Sequence, residues 1–296
     1  MAQINFLADL KEIITQELCS LGHPPKDEEN LDTVLKRYLN FSLRIPPTIV
    51  WTVKQSKELA NKILPEEITL GLQQFIEKAK SGQDLKPHLS TKRDNPDYKD
   101  LMFYDWGIFH FHLGTNPHPK RQGFLKRTDD VLFAIADSDT ATMYLIDIHP
   151  HLFTNQDLLR ILEENWPEIL APDTIKRCVR LPYNASDSDI DSLRKAGINP
   201  ILQTPGGRVL IPMGGGITKA GNSRRIKTEA YCIKTEVRQV EDFFIQQPDT
   251  IAVYFNDKYA KNWDELEFKL KSFEAPVKIE EITTGEIIEY HRQGGK

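Results

Sequence analysis

The sequence predicts an α+β fold, with N-terminal helices, a central antiparallel sheet and a C-terminal α+β extension. Segments with helical spacing of apolar residues and segments typical of strands occur in blocks, not in the strict alternation of a doubly wound sheet. Short polar turns join the strand segments, which is typical of antiparallel hairpins. We therefore expect a helical region over 1–63, a sheet domain over 64–170 and an α+β region over 171–296.

The composition is that of an ordinary globular chain, with 40% hydrophobic and 27% charged residues among 296. The net charge of −5 provides no general attraction to nucleic acid, so an anion-binding site has to come from a local basic patch. Cys19, Cys178 and Cys232 are far apart and form no CxxC pair, which favours free thiols in a reducing compartment. With no signal peptide and no apolar run of membrane-spanning length, we expect a cytoplasmic protein without a membrane partner.

Helical patterns dominate the N-terminal third. Residues 5–21 and 30–38 have helical spacing, and Pro65 with two following glutamates begins a third helix that ends near residue 81. Residues 43–53 are β-branched but contain two prolines, so they are expected to form an edge strand or a loop.

Strand patterns dominate the middle of the chain. Leu101 to Gly114 is expected to be one strand, and residues 131–136 and 141–148 a hairpin across a short acidic turn. The remaining expected elements are helices over 154–166, 186–196, 228–247 and 264–273, short strands within 201–213, and a terminal hairpin of 277–282 with 286–291.

The strongest candidate site is a cluster of histidines in this middle region. Strand alternation places His110 and His112 on one face and two phenylalanines on the opposite, core face. His149 and His151 end the following hairpin, and a neighbouring strand can bring them beside the first pair. Imidazoles have pKa values near neutrality, so two of them can serve as base and acid. Histidines at strand ends also commonly fill a polar rim, which is the competing structural interpretation.

The same spacing also suits a metal ion. An HxH pair on a strand is a common zinc or iron arrangement, and Asp105 or Asp147 is available as a carboxylate ligand. The spacing alone does not choose between acid–base chemistry and metal binding. The sequence has neither a P-loop nor a dinucleotide-binding glycine pattern, and we expect no cofactor and no bound metal.

Two basic segments are candidates for contacting phosphate groups. The loop 115–128 contains His118 and four basic residues, Lys120, Arg121, Lys126 and Arg127, without an acid. A second segment, 206–228, combines glycines with Arg208, Arg224 and Arg225, and its backbone N–H groups are candidates for binding an anion. An ordinary solvated surface loop is the alternative interpretation for each.

The middle of the chain resembles a known family. Its order is an amphipathic helix, a strand, an arginine and a hairpin that ends in histidine, carried by residues 66–80, 82–89, Arg127, 131–133 and 144–148 with His149 and His151. This order resembles the RelE/ParE-type toxins and the wider barnase–RelE-like ribonucleases over residues 64–151. The resemblance implies that Arg127 matches their arginine and His149 or His151 their terminal active-site residue. It also implies RNA, including ribosome-bound RNA, as substrate and an antitoxin or regulatory protein as partner.

These observations predict a metal-independent endoribonuclease of the toxin or phage-defence type that uses histidine acid–base catalysis. The expected catalytic residues are His110, His112, Arg127, His149 and His151. One alternative is a metal-dependent hydrolase built on the HxH strand. The other is a non-catalytic regulatory protein that binds an anion or nucleotide.

Overall fold

The computed structural model describes residues 4–26, 28–178 and 180–291, and it has the predicted α+β fold. The helices are α1 (Phe6–Ser20), α2 (Leu31–Ser42), α3 (Lys57–Ala60), α4 (Glu66–Lys80), α5 (Leu101–Trp106), α6 (Asp157–Asn165), α7 (Pro167–Leu170), α8 (Asp187–Lys195), α9 (Arg224–Gln246) and α10 (Pro248–Tyr259). The strands are β1 (Thr52–Gln55), β2 (Phe109–His112), β3 (Asp130–Asp137), β4 (Thr142–Pro150), β5 (Leu202–Gln203), β6 (Val209–Leu210), β7 (Phe268–Ser272), β8 (Val277–Glu281) and β9 (Glu286–Tyr290).

The chain divides into two compact units. One comprises residues Met1–Leu39 and Ile226–Lys296, and the other comprises Asn40–Arg225. The boundary between Leu39 and Asn40 falls inside the predicted segment 1–63, and the boundary between Arg225 and Ile226 falls inside the predicted segment 171–296. The predicted division into 1–63, 64–170 and 171–296 stays a prediction.

The first unit packs α1, α10 and most of α2 and α9 with the antiparallel sheet β7-β8-β9. Its core is aromatic: the ring of Phe6 lies 5.4 Å from that of Phe244, which lies 5.1 Å from that of Phe268. The predicted terminal hairpin is confirmed as β8 and β9. No helix in the part of the chain that the structure describes is long and apolar enough to cross a bilayer.

The second unit contains a four-stranded sheet in the order β1-β4-β3-β2. The predicted hairpin is confirmed as β3 and β4, and β2 pairs antiparallel with β3. The sheet is not wholly antiparallel as predicted, because β1 pairs parallel with β4 at one edge. Pro46 and Pro47 lie in the irregular segment before β1, so they remove no backbone donor from the pairing of this edge strand.

The strand register separates the histidines from the phenylalanines. His110 is opposite Phe133, and His112 is opposite Val131, so these four side chains share one face. Phe111 points to the other face, where its ring lies 4.7 Å from that of Phe75 on α4. Both faces are therefore covered by protein, and the histidines lie where the sheet ends.

The single strand predicted over 101–114 is wrong. Residues 101–106 form α5, and only 109–112 form the strand. Asp100 caps the helix by accepting a hydrogen bond from the N–H of Phe103 at 3.1 Å, and Gly107 ends it in the left-handed conformation at φ 69°. These two caps decide the structure of a short apolar run whose periodicity suits either element.

The helix predicted over 264–273 is also wrong, because these residues contain β7. Phe268 and Leu270 are buried, while Lys269 and Lys271 between them are exposed, which is strand alternation. The adjacent α10 was not predicted. It begins with Pro248 in its first turn, a position that helices tolerate well.

Candidate active site

Three imidazoles from two strand ends converge in the second unit. The ring centroid of His151, directly after β4, lies 5.2 Å from that of His112 and 6.4 Å from that of His110. The hairpin geometry causes this convergence, because β3 pairs with β2 on one side and with β4 on the other. We refer to His110, His112 and His151 as the histidine cluster.

His151 has one ring nitrogen positioned by the backbone. Its Nδ1 lies 2.9 Å from the carbonyl oxygen of Asp129, so this nitrogen donates and Nε2 is left as the acceptor. Within the described residues, Nε2 is shielded from solvent and has no hydrogen-bond partner. The neutral ring therefore presents a basic nitrogen that the protein does not use.

His110 has a carboxylate nearby. Its Nδ1 lies 3.9 Å from Oδ2 of Asp100, and its ring packs 4.9 Å from that of Phe153. Burial lowers the pKa of His110, and the charges of His151 and Arg127 lower it further, while Asp100 opposes them. The side chain is only 10% exposed, yet it forms part of the wall of a small pocket.

His112 is held most tightly. It is 1% exposed, and its Nδ1 lies 3.2 Å from both the backbone nitrogen and the carbonyl oxygen of Thr128. Burial, followed by the charge of Arg127, lowers the pKa of His112 to about 3. Burial also lowers the pKa of His151. The cluster consequently consists of neutral imidazoles at neutral pH.

Arg127 is the predicted cation that lies beside the cluster. It is exposed, and its positive charge contributes to lowering the pKa of all three imidazoles. The residue before Arg127 packs closely against the chain beyond β2. A Cβ atom on Gly114 would lie 2.0 Å from the carbonyl oxygen of Lys126. The other basic residues of loop 115–128 are also exposed: Lys120, Arg121 and Lys126.

His149 does not join the cluster. Its ring stacks on that of Phe133 at a centroid distance of 4.2 Å, and its Nδ1 lies 2.7 Å from the carbonyl oxygen of Pro150. Its Nε2 lies 3.4 Å from the side-chain nitrogen of Asn155. These contacts give His149 structural partners that account for its position.

The two carboxylates considered for a metal site have cationic partners. Asp105 forms a buried ion pair with Arg194 at 2.8 Å, and Asp147 is 2.8 Å from the ammonium group of Lys62. Arg194 also lies over the ring of Trp106 at 4.2 Å. Among the described residues, no three side chains of His, Cys, Asp or Glu are grouped closely enough to hold a metal ion.

The glycine N–H groups of the segment 206–228 donate hydrogen bonds within the protein, so they are not free for an anion. The N–H groups of Gly214 and Gly216 donate to the carbonyl oxygens of Asp105 and Tyr104, each at 2.8 Å. A Cβ atom on Gly214 would lie 2.3 Å from the carbonyl oxygen of Phe103, so this glycine permits close packing on α5. Arg208 is 3.4 Å from Glu163, while Arg224 and Arg225 begin α9.

His88 is a positioning residue that the sequence did not identify. It is completely buried and donates from Nδ1 to the carbonyl oxygen of His112 at 2.9 Å. Burial lowers its pKa to about 4, so the ring is neutral. Asp100 was missed as well, and its position as the cap of a short helix that ends at Gly107 is the signal that identifies it.

No family model matches the chain, and no curated protein or solved structure resembles it significantly. The resemblance of residues 64–151 to the RelE/ParE-type toxins accordingly stays a prediction. Function is inferred from the chemistry of the histidine cluster and its neighbours.

Proposed function

We propose that the protein is a metal-independent endoribonuclease of the toxin or phage-defence type. The observation that carries this proposal is the convergence of neutral His110, His112 and His151 beside the cationic Arg127. Acid–base cleavage of RNA requires a proton acceptor, a proton donor and positive charge near the phosphate. The neutral ring of His151 supplies the acceptor, Arg127 supplies the charge, and His110 supplies the donor once a bound phosphate favours its imidazolium form.

His151 is the base in this mechanism. Its Nδ1 donates to the carbonyl of Asp129, which leaves Nε2 to remove the proton from a ribose 2′-hydroxyl. The resulting oxyanion attacks the adjacent phosphorus and forms the 2′-oxygen–phosphorus bond. Because Nε2 is shielded from solvent, the side chains that cover it have to move when RNA binds.

His110 is the acid. A phosphate placed beside its ring favours the imidazolium form, and Asp100 acts in the same direction. The imidazolium protonates the leaving 5′-oxygen as the phosphorus–oxygen bond breaks, so the products are a 2′,3′-cyclic phosphate and a 5′-hydroxyl. Lys126 or Arg127 stabilises the charged phosphorane, and His112 holds the end of β2 against Thr128.

The proposal includes cytoplasmic RNA as substrate. Cys19, Cys178 and Cys232 are free thiols, which suits a reducing compartment. The resemblance to RelE/ParE-type toxins supports ribosome-bound RNA as the substrate form and an antitoxin or regulatory protein as the partner.

The test is to incubate the purified protein with mixed RNA, with and without EDTA, and to map the new ends. We expect cleavage that EDTA leaves unchanged and that a 2′-methoxy group at the cut site prevents, because the internal nucleophile is then absent. His110→Ala and His151→Ala should each lower the rate by about 10²–10⁴-fold, the usual effect of removing an acid or base. His149→Ala is the matched control and should lower it far less, since His149 packs outside the cluster.

Three results would contradict the proposal. Cleavage that EDTA abolishes and zinc restores would indicate the metal-dependent hydrolase instead. Cleavage that survives all substitutions in the cluster would exclude histidine catalysis. Nucleotide binding without cleavage, either of free RNA or on translating ribosomes, would favour the regulatory protein.

A further inference from the structure

We propose that a second site beside the histidine cluster binds a phosphate group, held by the buried guanidinium groups of Arg44 and Arg93. We call it the Arg44–Arg93 pocket. Its polar wall consists of Arg44, Ser90, Arg93, Tyr98, Asp100 and His110. The inference does not depend on RNA cleavage, because it concerns the binding of an anion.

The case begins with the burial of the two arginines. Arg44 is 4% exposed and Arg93 is 3% exposed, although arginine is almost never buried without partners. Removing a guanidinium group from water is costly unless an anion or hydrogen-bond acceptors replace the solvent. Burial lowers the pKa of both groups, and each still retains its proton at neutral pH.

Arg44 is partly satisfied by backbone carbonyls. Its Nε donates to the carbonyl oxygen of Asn40 at 2.5 Å, and its Nη2 donates to that of Asn95 at 2.8 Å. Its Nη1 is buried and has no hydrogen-bond partner among the described residues. One donor of a positioned guanidinium group is thus left for a ligand.

Arg93 is almost wholly unsatisfied. Within the described part of the chain, none of its three guanidinium nitrogens has a hydrogen-bond partner. A carboxylate oxygen of Asp94 lies 3.8 Å from Nη2 of Arg93, beyond hydrogen-bond distance, and the Phe41 ring lies 4.8 Å from its Cζ. Such a group needs an acceptor, and the pocket that Arg93 lines is the nearest open space in which one can be placed once its wall opens.

The charges of the pocket favour an anion. Two arginines line it, and their guanidinium groups are close enough for the charge of Arg44 to lower the pKa of Arg93. Asp100 is the carboxylate in the wall, and its Oδ1 already accepts from the N–H of Phe103. One positive charge therefore remains uncompensated within the pocket wall.

A phosphate group suits this geometry. Guanidinium groups bind phosphate and carboxylate oxygens through two parallel hydrogen bonds, and the hydroxyl of Ser90 adds a neutral donor. The pocket has room for about one water molecule, about 20 Å³, so its wall has to open by a few ångströms for a phosphoryl group to enter, and a nucleobase is too large for it. The group can come from free inorganic phosphate or from the terminal phosphate of a nucleotide.

Thermal unfolding in phosphate and in sodium chloride of equal ionic strength tests the inference. At a phosphate concentration a hundredfold above Kd, the folded-to-unfolded ratio should rise about a hundredfold. Arg93→Met should abolish this rise, and Arg238→Met is the matched control because Arg238 is an exposed residue of the other unit. Without phosphate, Arg93→Met should be at least as stable as the wild type, since it removes a buried guanidinium group that has no hydrogen-bond partner among the described residues.

A second measurement needs no variant. Phosphate should shift the imidazole NMR signals of His110, which lies in the pocket wall, and leave those of His149 unchanged. Repeating both measurements with a nucleoside 3′-monophosphate separates the two sources. A response to both ligands indicates that inorganic phosphate suffices, and a response to the nucleotide alone assigns the pocket to a terminal phosphate.

The absence of stabilisation and of a His110 shift with both ligands would overturn the inference. Stabilisation that persists in Arg93→Met would also overturn it, because the anion would then bind elsewhere. Phosphate binding without RNA cleavage leaves the inference intact and counts against the ribonuclease proposal alone. RNA cleavage without phosphate binding would overturn the inference about the Arg44–Arg93 pocket and leave the ribonuclease proposal intact.

Discussion

The imidazole of His88 lies completely buried under the end of β2, where it donates a hydrogen bond to the carbonyl of His112. Its ring also meets that of Phe75 edge to face at 5.2 Å. A protonated imidazole is poorly tolerated here, because the surroundings provide no second acceptor for Nε2. His88 and His112 therefore couple the position of the strand end to pH.

We expect this coupling to appear in the free energy of unfolding. The pKa of an unfolded histidine is about 6.5, whereas burial lowers the pKa of His88 to about 4 and that of His112 to about 3. Below pH 6.5 the unfolded state binds protons that the folded state does not, so stability is complete above that pH and falls as the pH falls. Between pH 7 and pH 5 the loss should be about 2 kcal/mol for each histidine.

Urea unfolding of wild type and His88→Gln across pH 5–7 measures the effect. The variant should have a shallower dependence, by about 1 kcal/mol per pH unit, because one of the titrating groups is absent. Lys195→Gln, at an exposed side chain, should follow the wild type. Identical slopes for wild type and His88→Gln would show that His88 does not couple folding to pH.

At the scale of elements, β2 shows how four residues position a site. Phe109 and Phe111 fill the core on one side, and the intervening histidines turn to the other side. The ring of Phe109 lies 4.8 Å from that of Phe103 and 5.8 Å from that of Phe111. The burial of these rings holds the histidines at the strand end.

Phe109→Ala should therefore lower the free energy of unfolding by about 3–5 kcal/mol, as is usual when a buried aromatic ring is removed. Denaturant unfolding measures it, with Gln55→Ala on the exposed edge strand β1 as a control that should change it by less than about 0.5 kcal/mol. A loss below about 1 kcal/mol for Phe109→Ala would mean that this ring does not stabilise the strand.

The same region shows why strand alternation was only partly predictive. The alternation of histidine and phenylalanine over 109–112 correctly gave the two faces of β2. The preceding residues also alternate, but Asp100 and Gly107 provide the start and stop of a helix. For β7, pairing with β8 gives these residues long-range hydrogen bonds, which local spacing does not reveal.

At the scale of the whole molecule, one unit is formed by a single continuous stretch of chain and the other by two separate stretches. Residues 40–225 contain the mixed sheet and its core in one continuous stretch, whereas residues 1–39 need 226–296 to complete their unit. The histidine cluster and the Arg44–Arg93 pocket belong to the continuous unit. All members of its buried apolar cluster lie between Met102 and Met213.

A fragment comprising residues 40–225 should therefore fold independently. We expect cooperative denaturant unfolding and dispersed NMR signals, because its buried apolar cluster lies within those residues. Residues 1–39 alone should lack both, and joining them by a linker to 226–296 should restore them. A fragment 40–225 without cooperative unfolding would show that its core is insufficient.

The sequence allowed the histidines to be located but not the arginines beside them. Clustering of five histidines in one part of the chain is visible without a structure. Arg44 and Arg93 lie far apart along the chain, one in a β-branched segment with two prolines and the other in a polar segment, and their burial depends on how these segments fold. Contacts between such distant segments carry no local periodicity, so their role was not predictable.

Two glycines limit how the end of β2 can vary. A Cβ atom on Gly71 of α4 would lie 1.8 Å from the carbonyl oxygen of Leu113, and one on Gly114 would lie 2.0 Å from that of Lys126. The backbone beyond the histidines is thus enclosed on two sides, by a helix and by the basic loop. In a saturation mutagenesis screen, both glycines should tolerate as few substitutions as the histidines do, although neither glycine has a reactive group. Intolerance to mutation near this strand therefore records the space that the backbone needs as well as the chemistry.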